Sequence, residues 1–147
     1  MGKVGIIGAG LAGCEAAWAA ANLNADVTLF EMKPHKYTPA HQSPLFAELV
    51  CSNSLKAMRI ESAAGLLKEE MRRLNSVCLK AAEKSAVPAG GALAVDRDLF
   101  SAFVTEMIKS HPRVKIEHRE IGEPFIEGHD AVVIATGPLT SPALSER

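Results

Sequence analysis

Short apolar runs set off by glycine and proline alternate along this chain with stretches whose apolar residues recur every three or four positions. That is the pattern of strands interleaved with helices. Val4 to Ile7 is branched and uncharged, as a parallel strand buried on both faces should be, and the alanine-rich Cys14 to Asn24 predicts a helix after it. Ala25 to Phe30 then predicts a second strand, ending at Glu31. Met32 to His41 is polar and holds two prolines, which predicts an irregular loop, and Ser43 to Val50 predicts one or two turns of helix. From about Glu61 to Lys84, Leu67, Met71, Leu74, Cys78 and Ala81 recur at helical spacing, so a single amphipathic helix with Cys78 in the core is expected.

The break at Pro88-Ala89-Gly90-Gly91 ends that helix. Ala92 to Val95 predicts a short strand, and Asp96 or Asp98 should cap a helix running to about Ser110 whose Leu99, Phe100, Phe103, Met107 and Ile108 face the core. His111-Pro112 stops it. Val114 to Glu117 alternates like a strand, and Asp130 to Gly137 predicts a last, buried strand. Strands separated by helices predict an α/β fold built on a parallel sheet with flanking helices.

Composition narrows the setting more than the chemistry. The 147 residues suit one domain, and 48% hydrophobic content is enough for a core. A net charge of -1 excludes a global pull towards nucleic acid, so any RNA contact must be local. Cys14, Cys51 and Cys78 have no paired short spacing, which predicts neither a disulfide framework nor a metal site and fits a reducing cytoplasm. No signal peptide or membrane span is expected.

The first candidate chemistry lies in the turn after the first strand. Gly8, Gly10 and Gly13, with Ala9, Leu11 and Ala12 between them, form a Gly-x-Gly-x-x-Gly turn. Its glycines permit the tight bend, the close approach of a pyrophosphate and the packing of the new helix, whose N-terminal N–H groups attract phosphate. Glu31 follows Gly13 at the spacing where a carboxylate accepts hydrogen bonds from both ribose hydroxyls of an adenosine and repels a 2′-phosphate. The plainer alternative is an ordinary strand–helix–strand unit with a surface glutamate. Thr136-Gly137, at the end of the last strand, offers a small residue and a glycine where the chain can pass close to a dinucleotide.

Other features leave alternatives open. The Met32–His41 loop is either a solvated connector or a wall over the site. Cys51-Ser52-Asn53-Ser54 places a cysteine among small hydrogen-bonding residues, which suits either a reactive exposed thiol or a cysteine buried against Leu49 and Val50, with the residues alone favouring the second. Lys68, Arg72, Arg73, Lys80 and Lys84 read as a solvated helix face more readily than as an RNA-facing patch.

Taken together, the glycine turn, the acidic strand end and the late Val-Val-Ile-Ala-Thr-Gly strand resemble FAD-binding proteins of the two-dinucleotide-fold type. Gly8 to Ala17, Leu49 to Leu55, Gly90 to Arg97 and Gly137-Pro138-Leu139-Thr140-Ser141 are more specifically similar to the folate- and FAD-dependent tRNA (uracil-5-)-methyltransferase family. The related GidA-type wobble-uridine enzymes share Gly13-Cys14-Glu15-Ala16-Ala17 but differ at the cysteine loop and at the first turn. The resemblance implies a Rossmann-like FAD-binding domain in which Gly8, Ala9, Gly10, Leu11, Ala12, Gly13, Glu31, Thr136 and Gly137 hold the cofactor. It also implies methylation at C5 of a T-loop uridine in tRNA, with methylenetetrahydrofolate as carbon donor and NAD(P)H as reductant.

Cys51 matches one of two cysteines important to that family, as attacking thiol or as a thiol beside the flavin, and the resemblance reverses the preference for burial. Family members extend well beyond Arg147. Residues 1–147 are therefore read as the N-terminal part of the FAD-binding domain, with a first unit at 3–31, inserted loop and helices at about 32–95, and a helix and closing strands at 96–137. An unpaired apolar sheet edge is expected. The alternatives are a GidA-like enzyme, a non-catalytic dinucleotide-binding module and a general NAD-linked oxidoreductase.

Overall fold

A strand of apolar residues with neighbours on both sides must bury both faces, and Lys3–Ile7 (β1) does so at the centre of a four-stranded parallel sheet. A computed structural model describes all 147 residues. After β1 come α1 (Leu11–Asn22), β2 (Asp26–Glu31), β3 (Ser54–Ala57), α2 (Ala63–Arg73), α3 (Val77–Lys84), β4 (Ala86–Val87) and β5 (Ala92–Val95). Then follow α4 (Arg97–Ser110), β6 (Val114–His118), β7 (Ala131–Ile134), a 3-10 turn (Gly137–Leu139) and α5 (Pro142–Ser145). The main sheet runs β6-β2-β1-β7, with Ile6 opposite Leu29 on one side and Val133 on the other. A small antiparallel sheet, β3-β5-β4, carries the inserted segment.

Strand alternation divides the core. Ile6, Val27 and Leu29 face the main cluster, where α1 packs through Gly13, Cys14, Ala17 and Ala21 and α4 through Phe100, Val104 and Ile108. The small residues of α1 let its backbone lie close to the sheet. Ile7 and Phe30 point the other way, into a thinner layer closed by Ile121 and Leu144. No helix is long and apolar enough to cross a membrane.

Four expectations need correction. The single helix over 61–84 is two, because Asn75 takes a left-handed conformation (φ 64°) and its carbonyl accepts the Trp18 indole N–H instead of continuing a helical ladder. Leu67 and Leu74 are consequently exposed, Leu74 by 80%, although Cys78 is buried as expected. Ser43 to Val50 forms no helix. Its amides find distant partners, Phe46 N–H on Thr105 Oγ1 and Ala47 N–H on the Ala9 carbonyl, both at 2.9 Å. Leu99 is half exposed, whereas Ser101 and Thr105 sit inside.

The fourth correction concerns β7, which pairs only with β1 and is not buried: Ala131, Val133 and Ile134 are all exposed. The expected apolar edge is present there.

Candidate functional site

The turn from β1 into α1 is held on both flanks. Gly8 donates its N–H to the Phe30 carbonyl at 2.8 Å, and Ala135 donates to Ile7 at 2.9 Å, so the ends of β2 and β7 frame the turn. Gly8 has φ 99°, and a Cβ there would come within 2.8 Å of the Ala135 carbonyl oxygen. The α1 N-terminus has no side-chain cap and no acidic residue in its first turn, which leaves its amides available to an anion. Gly10 has open space where a side chain would be.

Glu31 is 7% exposed, with both oxygens engaged by backbone. Oε2 accepts from Ala9 N–H at 2.8 Å and Oε1 from Lys33 N–H at 2.9 Å. Each carboxylate oxygen retains further acceptor capacity, and Glu31 lines the cavity. At the opposite wall, Thr136 and Thr140 hydroxyls meet at 2.6 Å, and Thr140 donates to the Gly137 carbonyl at 2.9 Å, which fixes the chain beyond β7.

These elements enclose a cavity of about 560 Å³. Of the residues singled out in the sequence, Gly8, Ala9, Gly10, Leu11, Ala12, Glu31, Thr136 and Gly137 line it. Gly13 does not; it serves the packing of α1 on the turn. Cys51 is exposed and directly follows Val50, a cavity residue. The residues present suit the ADP half of a dinucleotide: free helix amides for phosphate, a carboxylate for ribose hydroxyls and an unobstructed backbone at Gly10.

Sequence reasoning did not single out Lys33, Thr38, His41 and Glu48, which form a further wall. The 32–41 loop is thus a wall of the cavity, with Lys33 buried rather than solvated. Proline content signals a loop but says nothing of where it docks. Glu15 was also missed as a structural device. Its carboxylate accepts from Ser76 Oγ and from the Cys78 N–H at 2.9 Å, tying α1 to the start of α3 across a sequence separation that leaves no local signal. The basic residues of the α2–α3 face are largely engaged: Arg72 pairs with Glu69 and Glu83, Arg73 with Glu69, and Lys68 is buried against the Ala57 and Ala64 carbonyls.

The three cysteines differ sharply. Burial, then the nearby Glu31 and Glu15 carboxylates, push the Cys14 thiol up to about 12, and burial with Glu15 pushes Cys78 up as well. Ellman titration at pH 8 should therefore find one fast thiol, Cys51, in the native chain and three in denaturant; two fast native thiols would contradict this burial. A raised thiol pKa favours folding below the ordinary value of 9.0 and loses that contribution as pH climbs towards about 12. The thermal midpoint is accordingly expected to fall above pH 9, less so in Cys14→Ala.

Parallel strand order, a glycine turn opening a helix and an acidic second-strand end define a protein of the Rossmann-like dinucleotide fold. Within that class, the chain belongs to the glucose inhibited division protein A family, whose model matches residues 3–145. It is 59% identical over 143 residues to the methylenetetrahydrofolate–tRNA-(uracil-5-)-methyltransferase TrmFO of Geotalea uraniireducens, covering 97% of this chain and 32% of that protein. Against the enzyme of the same name from Enterococcus faecalis, identity is 61% over 145 residues, covering 99% of this chain and 33% of that protein. The chain thus spans about a third of the length of these relatives. The solved structure of Aquifex aeolicus GidA, in its form II crystal, superposes with a TM-score of 0.70 at 16% identity, covering 90% of this chain and 24% of that one, which establishes the shared fold.

Proposed function

We propose that the chain is the FAD-binding, N-terminal portion of a tRNA (uracil-5-)-methyltransferase that forms 5-methyluridine in the T-loop from methylenetetrahydrofolate and NAD(P)H. One observation carries the cofactor assignment: the glycine turn, Glu31 and Thr136-Gly137, distant in sequence, line a single cavity. The reaction is supported by the names of relatives at 59% and 61% identity. It is also supported by an exposed cysteine that directly follows the cavity residue Val50. tRNA and folate are the substrates on this reading, and the cytoplasm is where they meet.

Each group has a part derivable from its chemistry. The α1 amides bind the diphosphate, and Glu31 orients the ribose and disfavours a 2′-phosphate through like charge. FAD, when bound, supplies reducing equivalents and a site for the one-carbon unit. A thiolate at Cys51 would be the group able to add to a uracil ring or to stand beside the flavin. Val50 and the Thr136–Leu139 segment line the cavity beside these groups.

Fluorescence titration of the purified chain should show saturable FAD binding, with NAD and NADP bound far more weakly. Equal or stronger NAD binding would favour a general nicotinamide oxidoreductase. Joined to the remaining two-thirds typical of its relatives, the protein should form 5-methyluridine with methylenetetrahydrofolate and NADPH. Failure of folded, flavin-loaded protein to do so would remove the methyltransferase reading. Under the same conditions Cys51→Ala should retain flavin absorbance and lose turnover.

A further inference from the structure

The segment from Lys33 to Leu49 has no regular structure, yet it is pinned at several points. Lys33 is 5% exposed, and its ammonium donates to the Ser43 carbonyl at 3.1 Å and the Leu45 carbonyl at 2.6 Å and lies 3.6 Å from Glu48 Oε2. Glu48 in turn accepts from the Gln42 and Ser43 N–H groups, at 3.0 and 3.1 Å. A desolvated ammonium is costly unless its hydrogens are matched, and here two carbonyls and a carboxylate match them. A solvated connector would not bury a lysine in this way.

The same lysine reaches the cofactor side of the cavity through its backbone. Lys33 N–H holds Glu31 Oε1, while Glu48 stands three residues before Cys51 and shares the cavity wall with Val50. The segment is also tied to the glycine turn, since Ala47 donates to the Ala9 carbonyl. One ion pair, between a buried lysine and a half-buried glutamate, therefore joins the Glu31 end of the cavity to the cysteine loop.

We infer that Lys33 and Glu48 form a latch that positions the Cys51 loop against the dinucleotide cavity, so that FAD bound at Glu31 is sensed at Cys51. Lys33 and Glu48 are positioning residues on this view, and the inference rests on the reading of the cavity as the FAD site. Burial would raise the Glu48 carboxyl, but the Gln42 and Ser43 amides and the Lys33 ammonium outweigh it and hold the carboxyl below its usual range. Glu48 is thus charged at neutral pH.

The test is the alkylation rate of Cys51 in the 147-residue chain, followed by mass spectrometry with iodoacetamide, with and without FAD. Cys14 and Cys78 are buried and serve as internal controls. In the wild-type chain, saturating FAD is expected to slow Cys51 alkylation about tenfold, and Glu48→Gln is expected to abolish most of that protection by losing a charged hydrogen-bond partner. Lys33→Met should behave like Glu48→Gln, and Lys33→Arg should restore protection. A merely structural role would lower the melting temperature without uncoupling Cys51 from FAD.

Without FAD, both loosened variants should also alkylate faster than wild type. Should Lys33→Met fail to fold, Glu48→Gln carries the test, because a glutamine oxygen still accepts the two loop amides. Full FAD protection in a folded Glu48→Gln chain would overturn the latch. A wild-type chain that does not bind FAD would instead sink the cofactor reading; unchanged apo alkylation rates in the variants would then overturn the latch separately.

Discussion

Gly13→Ala is expected to destabilise the chain strongly. A Cβ at this position would lie 1.8 Å from the Gly8 carbonyl oxygen and 2.9 Å from its carbon, which are backbone atoms that cannot rotate away. Relief requires α1 to move off the turn, and Cys14, Ala17 and Ala21 would lose their packing on the sheet with it. An overpacking of this kind costs about 3 kcal/mol or more, which corresponds to a fall of roughly 10 °C in melting temperature for a chain of this size. Gly10→Ala is the control. Nothing lies within 4 Å of its added Cβ, so its melting temperature should stay near wild type while the methyl group, entering the cavity, weakens dinucleotide binding. Circular dichroism melts of the two variants decide the matter: a Gly13→Ala chain that melts with wild type would show that α1 does not pack as described.

The same contrast shows why this part of the fold was legible. Each glycine in the turn has a distinct steric task, and such tasks leave a fixed spacing in the sequence. The strands β1, β2, β5 and β6 and the helix α4 were readable for a similar reason, since their apolar periodicity and the Asp96 cap are local signals; Asp96 accepts from both Asp98 and Leu99 N–H groups at 3.0 Å.

What escaped depends on partners far along the chain. The break at Asn75 is fixed by Trp18 and by the Glu15 carboxylate at the head of α3, and neither lies within a helical window of it. Ser43 to Val50 looked helical because its apolar content matched, but Thr105, Ser101 and Ala9 take its backbone groups. A run such as Val132-Val133-Ile134 predicts a strand without saying how many neighbours it has, so an edge strand of this composition reads the same as a buried one. In the candidate site, the glycine turn and Glu31 announced themselves by spacing. The wall of Lys33, His41 and Glu48 was open to two readings, since the 32–41 loop suits either a connector or a wall and a loop that docks by burying one lysine has no periodicity to decide between them.

Glu31→Gln is the substitution with the largest expected effect on binding. The wild-type carboxylate accepts two backbone N–H groups, from Ala9 and Lys33, with no donor of its own. A glutamine keeps the shape but offers one carbonyl oxygen and one amide N–H₂, so one of those backbone donors must face another donor. The glycine turn at Ala9 or the segment at Lys33 then shifts, and the negative charge that would charge-assist bonds to ribose hydroxyls is gone. Hydrogen bonds to charged groups contribute about 1.5–3 kcal/mol each, so losing one to two of them should weaken FAD binding about 100-fold. Removing the negative charge also removes the repulsion of a 2′-phosphate, so the ratio of NADP to NAD affinity should rise in the variant even as both remain weak. A fold defect alone would weaken all three ligands in parallel. Titration of FAD, NAD and NADP against folded Glu31→Gln therefore separates ribose recognition from stability, and an FAD affinity within about threefold of wild type would place the adenosine ribose away from Glu31.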